Sequence, residues 1–453
     1  MFCSARPYAC ESAPHLPGVY PPHSQKAGIL KHRNVRLSAV IMGLSSALDL
    51  VSHEVIDHHR QVAHIAARLC DAMDFGPEEK ANLVIASLLH DSGAVSMHER
   101  MELLQFDTKN PHKHAEVGYQ LLKGFEPFKT AAQFVRHHHV SFNDESGARR
   151  KPALLGCHVI HLADRVSVLI NKDANVLSQV KGIRHHIRSE SGRMFHPDVV
   201  DAFMGIASKE VFWLDSVYHD PNTLSIDSGS AIWNIELNQK TLHELTNLFR
   251  MIIDFRSPST AAHSASVAAI FEELGRLVGF SERECRMLRM AGNLHDLGKL
   301  SVPVEILDKN GPLTDDEVFL VRSHSFHTYR ILDMIGGLDT VNHWASYHHE
   351  SLDGVGYPFR LASRDLPLGS RVVAVADVFT AITEDRAYRK GMDRKVALNL
   401  LKDMAKGGKL DPYIVSLVER NYKDMNDTRS VANEAGVNEF LDMRRLAASA
   451  PDA

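Results

Sequence analysis

The chain has 453 residues, 44% of them apolar and 24% charged, with 51 Lys plus Arg against 56 Asp plus Glu. That length allows roughly two to four domains, and these proportions exclude a collagen, a coiled coil or a wholly disordered chain. A formal charge of −5 gives no footprint for duplex nucleic acid, no apolar run is long enough for a membrane helix, and five scattered Cys without a CxxC pair fit a reduced, cytoplasmic setting.

Residues 1–41 carry five Pro in their first 22 positions and no helical period, so disorder is expected there. From 42 to 215 apolar residues recur at three- and four-residue steps, which predicts helices. Turn formers crowd the stretch SVYHDPNTLSIDSGS, and 216–234 reads as a linker. Helical periodicity resumes at 235 and runs to 425, followed by a polar tail over 426–453. No alternating apolar pattern runs for any length, so the fold expected is all-α.

Of the 28 His, ten fall in a repeat. His58 is followed 32 residues later by His90-Asp91, and His263 is followed 32 residues later by His295-Asp296. His114 and His324 come next, and 24 residues after each stands a His pair, His138-His139 and His348-His349. Asp164 and Asp377 follow, then FHPDVVDAF and LDPYIVSLV. Two long separations recur with the residue types in one order, so the chain is two copies of one helical domain.

In the second copy Asp296 ends an apolar helix and Asp377 sits inside the apolar run VVAVADVFTAI. A carboxylate there must shed its water, which is costly unless it is paired or binds a cation. Two carboxylates and five imidazoles from separate segments share a need for such a partner. Mixed imidazole and carboxylate donors without thiolates suit Fe, Mn or Zn. Seven donors exceed what one ion uses, so a two-metal centre with one shared carboxylate is expected. Thr314 and Glu317 form a capping-box pattern expected to start the helix that carries His324. In HHESLDGVGYP (348–358) the His pair supplies donors, the Gly residues allow a close backbone approach, and Tyr-Pro fixes the exit.

HDLGK at 295–299, HHESLDGVGYP and DRAYRK at 385–390 resemble the HD-GYP family, cyclic-dinucleotide phosphodiesterases of the HD superfamily of metal-dependent phosphohydrolases. The resemblance covers residues 240–425. It implies a tandem HD-superfamily, all-helical fold, two ions of Fe or Mn, and cyclic di-GMP or 3′,3′-cyclic GMP-AMP as substrate. It assigns His263, His295, Asp296 and Asp377 to one ion and His324, His348 and His349 to the other, with Asp296 bridging. Lys299, Gly354, Tyr357, Arg386 and Arg389 match substrate-holding positions, and Lys299 joins Asp296 as a catalytic residue. The expected reaction is attack on phosphorus by a hydroxide bridging the ions, releasing a 5′-phosphorylated linear dinucleotide. Some members carry Glu where this chain has Ser259 and bind a third ion, so two ions are expected here. Thr328 occupies a position that is Gly in the family, which puts the local backbone in question. A homodimer is compatible with this reading.

The first copy keeps every donor type as a second metal site: His58, His90, Asp91, His114, His138, His139 and Asp164. It loses the rest. Ala94 replaces Lys299, VSFNDESG replaces the GYP loop, and Asp173 stands where Arg386 would fall. Two readings stand: a 5′-nucleotidase acting on the linear product, or a structural and regulatory duplicate. A catalytically silent cyclic-dinucleotide sensor is the alternative for the whole chain.

Overall fold

The computed structural model describes residues 34–50, 57–94, 96–106, 111–143, 155–218, 230–256, 258–385 and 390–448. Of the segment 1–41 expected to be disordered, residues 1–33 lie outside the described residues, as do much of the linker, Arg386 and Arg389, whereas 37–41 are helical. Among those described there are no strands, only isolated bridges.

The first copy comprises α1 (Leu37–Asp49), α2 (His58–Ala72), α3 (Pro77–Leu89), α4 (Met97–Leu103), α5 (Pro111–Leu122), α6 (Lys129–His137), α7 (Leu155–Leu169), α8 (Val176–Ser189), α9 (Pro197–Ile206) and α10 (Glu210–Val217). The second comprises α11 (Gln239–Arg256), α12 (Pro258–Val278), α13 (Glu282–Leu294), α14 (Val304–Leu307), α15 (Asp315–Arg322), α16 (His324–Ile335), α17 (Asp339–Ser346), α18 (Leu368–Thr383), α19 (Arg394–Lys406), α20 (Pro412–Arg420) and α21 (Tyr422–Ala448).

Local sequence sets many helix ends. Ser96, Ser281 and Thr314 accept from the N–H three residues on, while Glu99, Glu284 and Glu317 reach back to them. Pro77, Pro197 and Pro412 open helices where a missing N–H costs nothing. The Thr314 box does not start the helix that carries His324, as its sequence suggested. It starts α15, which ends at Arg322, and His324 opens α16. Between them the Ser323 hydroxyl donates to the Leu320 carbonyl at 2.6 Å, competing with the backbone for a helical acceptor.

Helix α1 begins five residues before Met42, where periodicity placed it. Its start is fixed at long range: Leu37 N–H donates to the Ile235 carbonyl and Leu237 N–H to that of Val35, both at 2.9 Å. Helix α1 then packs on α3 of its own copy and on α16 of the other. A Cβ on Gly43 would stand 2.7 Å from Ile335 Cγ1, so only Gly permits that approach. The segment read as a polar tail is the body of α21, which runs along α12 and reaches α5. Met425 and Met443 bury one face of it. They lie five turns apart, too far for a short periodicity window to join. One continuous apolar core therefore runs through both copies.

Candidate metal centres

In the second copy separate helices deliver the donors to one place. His263 lies on α12, His295 caps α13 with Asp296 beside it, His324 opens α16, His348 and His349 follow α17, and Asp377 sits within α18. Asp296 Oδ2 is 3.2 Å from His295 Nε2, and its Oδ1 is 3.5 Å from His324 Nε2. His263 Nε2 is 3.5 Å from Asp377 Oδ1. The donors fall into two groups close enough for one ion each: His263, His295 and Asp296, and His324, His348 and His349. Asp296 turns one oxygen to each group, the arrangement a shared carboxylate requires.

The imidazole hydrogen bonds test whether a cation fits. Nδ1 of His295, His324 and His348 each donates to the carbonyl three residues back, at 2.7, 2.6 and 2.6 Å. That fixes the proton on Nδ1 and leaves Nε2 as a lone pair, which on His324 has the Ser325 hydroxyl 3.3 Å away. Yet His324 Nε2 and His348 Nε2 stand 3.1 Å apart. Burial pushes His324 down to about 3 and His349 to about 4, and burial with neighbouring imidazoles holds His348 well below the usual histidine range. None is protonated near neutral pH, so two lone pairs would face each other across that gap. A cation between them removes the conflict, and the donor set fits one. Burial acts to raise the Asp296 carboxyl, but His295, Lys299 and His324 outweigh it and hold it well below its usual range.

The surroundings hold this array. Lys299 Nζ donates to Asp296 Oδ2 at 2.6 Å. A Cβ on Gly298 would stand 1.9 Å from the His324 carbonyl oxygen, so the turn after Asp296 must be Gly. Thr328 keeps the backbone geometry that its family position put in question. Its hydroxyl donates to the His295 carbonyl at 3.0 Å and accepts from Gly298 N–H at 2.9 Å. In the following loop Gly354 has φ +76°, Gly356 packs on the Glu350 backbone, and Tyr357-Pro358 is cis. Buried Glu350 accepts from Phe359 and Leu361 N–H at 2.7 and 2.9 Å. Tyr357 lies 4.8 Å from His349, ring to ring, which brings this loop to the donors.

Two groups near the centre escape a reading by motif. The Arg322 guanidinium lies 4.3 Å from the Tyr357 ring centroid. Buried Glu384 places Oε2 3.0 Å from His263 Nδ1. Its spacing of seven from Asp377 was a usable signal, because residues seven apart share a helix face. The side chain of Ser259, on which the expectation of two rather than three ions rests, lies outside the described residues.

The first copy repeats the geometry. His58 Nε2 is 3.3 Å from Asp164 Oδ1, His90 Nε2 is 3.3 Å from Asp91 Oδ2, and His114 Nε2 is 3.3 Å from Asp91 Oδ1. His114 and His138 again oppose Nε2 to Nε2, at 3.3 Å, and His139 joins their group with Asp91. Buried His90 Nε2, Asp91 Oδ1 and His139 Nε2 make no hydrogen bond, as atoms reserved for an ion would not. The repeat also runs further than the histidines. Asp49, nine residues before His58, accepts from His59 Nδ1, and Asp254, nine before His263, accepts from Ser264 at 2.5 Å. The copies differ at the last Asp. Fully buried Arg165 binds Asp164 Oδ2 at 2.6 Å and donates to the Leu103 carbonyl at 2.9 Å.

Two HD-domain family models match the chain, one over residues 55–169 and the other over 247–414, one on each cluster. The chain belongs to the HD superfamily, as two copies in tandem with the second of HD-GYP type. The HD-GYP copy and its HD partner together align with the 3′3′-cGAMP-specific phosphodiesterase 1 of Vibrio cholerae, 29% identical over 86% of this chain and 92% of that protein. The cyclic di-GMP phosphodiesterase of Pseudomonas aeruginosa is 40% identical over 34% of this chain and 37% of its own length. The tandem HD fold also matches a solved cyclic GMP-AMP specific phosphodiesterase of V. cholerae, with TM-score 0.62 and 21% identity over 86% of this chain and 98% of that one. That likeness shows a shared fold. No described helix is long and apolar enough to cross a membrane.

Proposed function

We propose that the HD-GYP copy hydrolyses a guanine-containing cyclic dinucleotide, cyclic di-GMP or 3′,3′-cyclic GMP-AMP, to a linear dinucleotide with a 5′-phosphate. The observation that carries this reading is Asp296, with one oxygen toward each donor group and Lys299 on the same carboxylate. Two divalent ions there, Fe or Mn by the resemblance, would polarise the phosphoryl oxygens and lower the pKa of water. The oxygen of water bonds to phosphorus, the bond to the 3′-oxygen breaks, and that oxygen leaves as a hydroxyl with a proton. Lys299 supports the negative charge that grows on a non-bridging oxygen. Tyr357 stands beside His349, and the roles of Gly354, Arg386 and Arg389 in holding substrate rest on their motifs. The matching names of the relatives support the substrate class.

For the first copy we propose a metal-dependent phosphohydrolase of different specificity, removing the 5′-phosphate from the linear product. The buried His90 Nε2, Asp91 Oδ1 and His139 Nε2, which make no hydrogen bond, favour a retained ion over a merely structural duplicate. Ala94 in place of Lys299 fits a changed substrate.

The test is product analysis on anaerobically purified full chain loaded with Fe(II) or Mn(II). Wild type runs beside His295→Ala plus Asp296→Ala and beside His90→Ala plus Asp91→Ala. The first variant should be dead on the cyclic substrate. The second should accumulate the 5′-phosphorylated linear dinucleotide that wild type dephosphorylates. Binding without turnover by wild type with either metal would overturn the enzyme in favour of a sensor.

A further inference from the structure

We infer that Glu384 is the residue that positions His263, and that Asn433 of the last helix holds Glu384 in place. The inference rests on the metal-centre reading of the second copy and deepens it. Glu384 is 3% exposed and directly follows α18. Its Oε2 lies 3.0 Å from His263 Nδ1, and its Oε1 accepts from Asn433 Nδ2 at 2.7 Å. The other backed imidazoles of this centre donate to neutral backbone carbonyls. His263 alone among these four meets a carboxylate. Such a partner fixes the proton on Nδ1, aims Nε2 at Asp377, and makes the imidazole a stronger donor to a cation.

The first copy solves the same problem without charge. His58 Nδ1 meets the Ser167 hydroxyl at 3.1 Å, and that hydroxyl donates onward to Gln61 Oε1 at 2.6 Å. The hydroxyl proton is spent on Gln61, so Ser167 offers His58 only a neutral lone pair. Behind equivalent histidines, then, the copies differ by one full negative charge. The second copy keeps its ions at chelator concentrations that strip the first. Asn433 makes the docking of α21 part of the metal site, although the helix supplies no donor to the ion.

The experiment uses the full chain carrying His90→Ala plus Asp91→Ala, so that bound metal reports the second copy. Mn(II)-loaded protein is equilibrated against graded chelator, and metal per chain is measured by mass spectrometry. Glu384→Gln should lower affinity about 10–100-fold, Asn433→Ala should move it the same way by less, and Glu384→Asp should recover part of the loss. Ser167→Ala should change nothing on this background. Metal-free melting curves separate lost affinity from lost fold. If Glu384→Gln melts early, partly exposed Asn433 decides. Parental retention by Glu384→Gln, or by Asn433→Ala in that case, overturns the assignment. If His295→Ala plus Asp296→Ala on the same background also retains metal like its parent, the metal-centre reading fails instead.

Discussion

The Thr328 hydroxyl donates to the His295 carbonyl at 3.0 Å and, on its other side, receives the N–H of Gly298. One buried side chain thus joins α16 to the turn that presents the HD pair. A Gly at this position would leave both backbone groups to find other partners.

Thr328→Val keeps the shape and removes the hydroxyl. Two buried backbone groups lose a partner, so the protein should lose about 1–3 kcal/mol. Denaturant titration of the metal-free chain measures this. An unchanged midpoint would show that the bond contributes nothing.

Lys299→Ala should lower turnover of the cyclic substrate about 100-fold, the scale for removing one group that stabilises developing charge. Metal content should stay at the wild-type level, since Lys299 is not a donor to an ion. Loss of metal in parallel with activity would make Lys299 a structural partner of Asp296 instead.

Acid should destabilise the fold. His324 and His349 titrate at about 3 and about 4 when folded and near 6.5 when unfolded. Below about 6.5 the unfolded chain takes up protons that the fold refuses, so their contribution is complete above that pH and is lost as pH falls toward 3. Asp296 and Asp377, held below their usual range, add a loss of the same sign at lower pH. Melting temperature should fall steadily from pH 7 to pH 4, and bound metal should be released over the same range. A melting temperature that rises on acidification contradicts this.

Arg165→Met should cost about 3–5 kcal/mol, because it leaves the buried Asp164 charge without its partner. The loss should appear as a lower unfolding midpoint and as lost metal in the first copy, with turnover of the cyclic substrate retained. A neutral result would show that His58 and His90, at 3.3 and 3.8 Å, hold Asp164 without the arginine.

Much of the site was legible because its chemistry is tied to order along the chain. The recurring separations, together with the common order of His and Asp along the chain, named fourteen candidate donors, and folding gathers each set of seven. The helix start marked by Thr314 was equally plain, since a capping box closes within four residues. Readings that needed longer reach did worse. The Thr314 box was sound, yet it served α15 rather than the helix of His324. The apparent tail hid α21, whose buried Met residues lie five turns apart.

An all-helical tandem repeat and the residue types of two candidate metal centres could be read along the chain, because periodicity and motif spacing are local properties. Which oxygen of Asp296 faces which histidines, the bridging of the two copies by α1, and the placing of Glu384 and Ser167 behind equivalent imidazoles emerged on folding. Those facts depend on distances between segments far apart in the chain. Such distances are set by how the shared core packs, and no pattern within one segment encodes them.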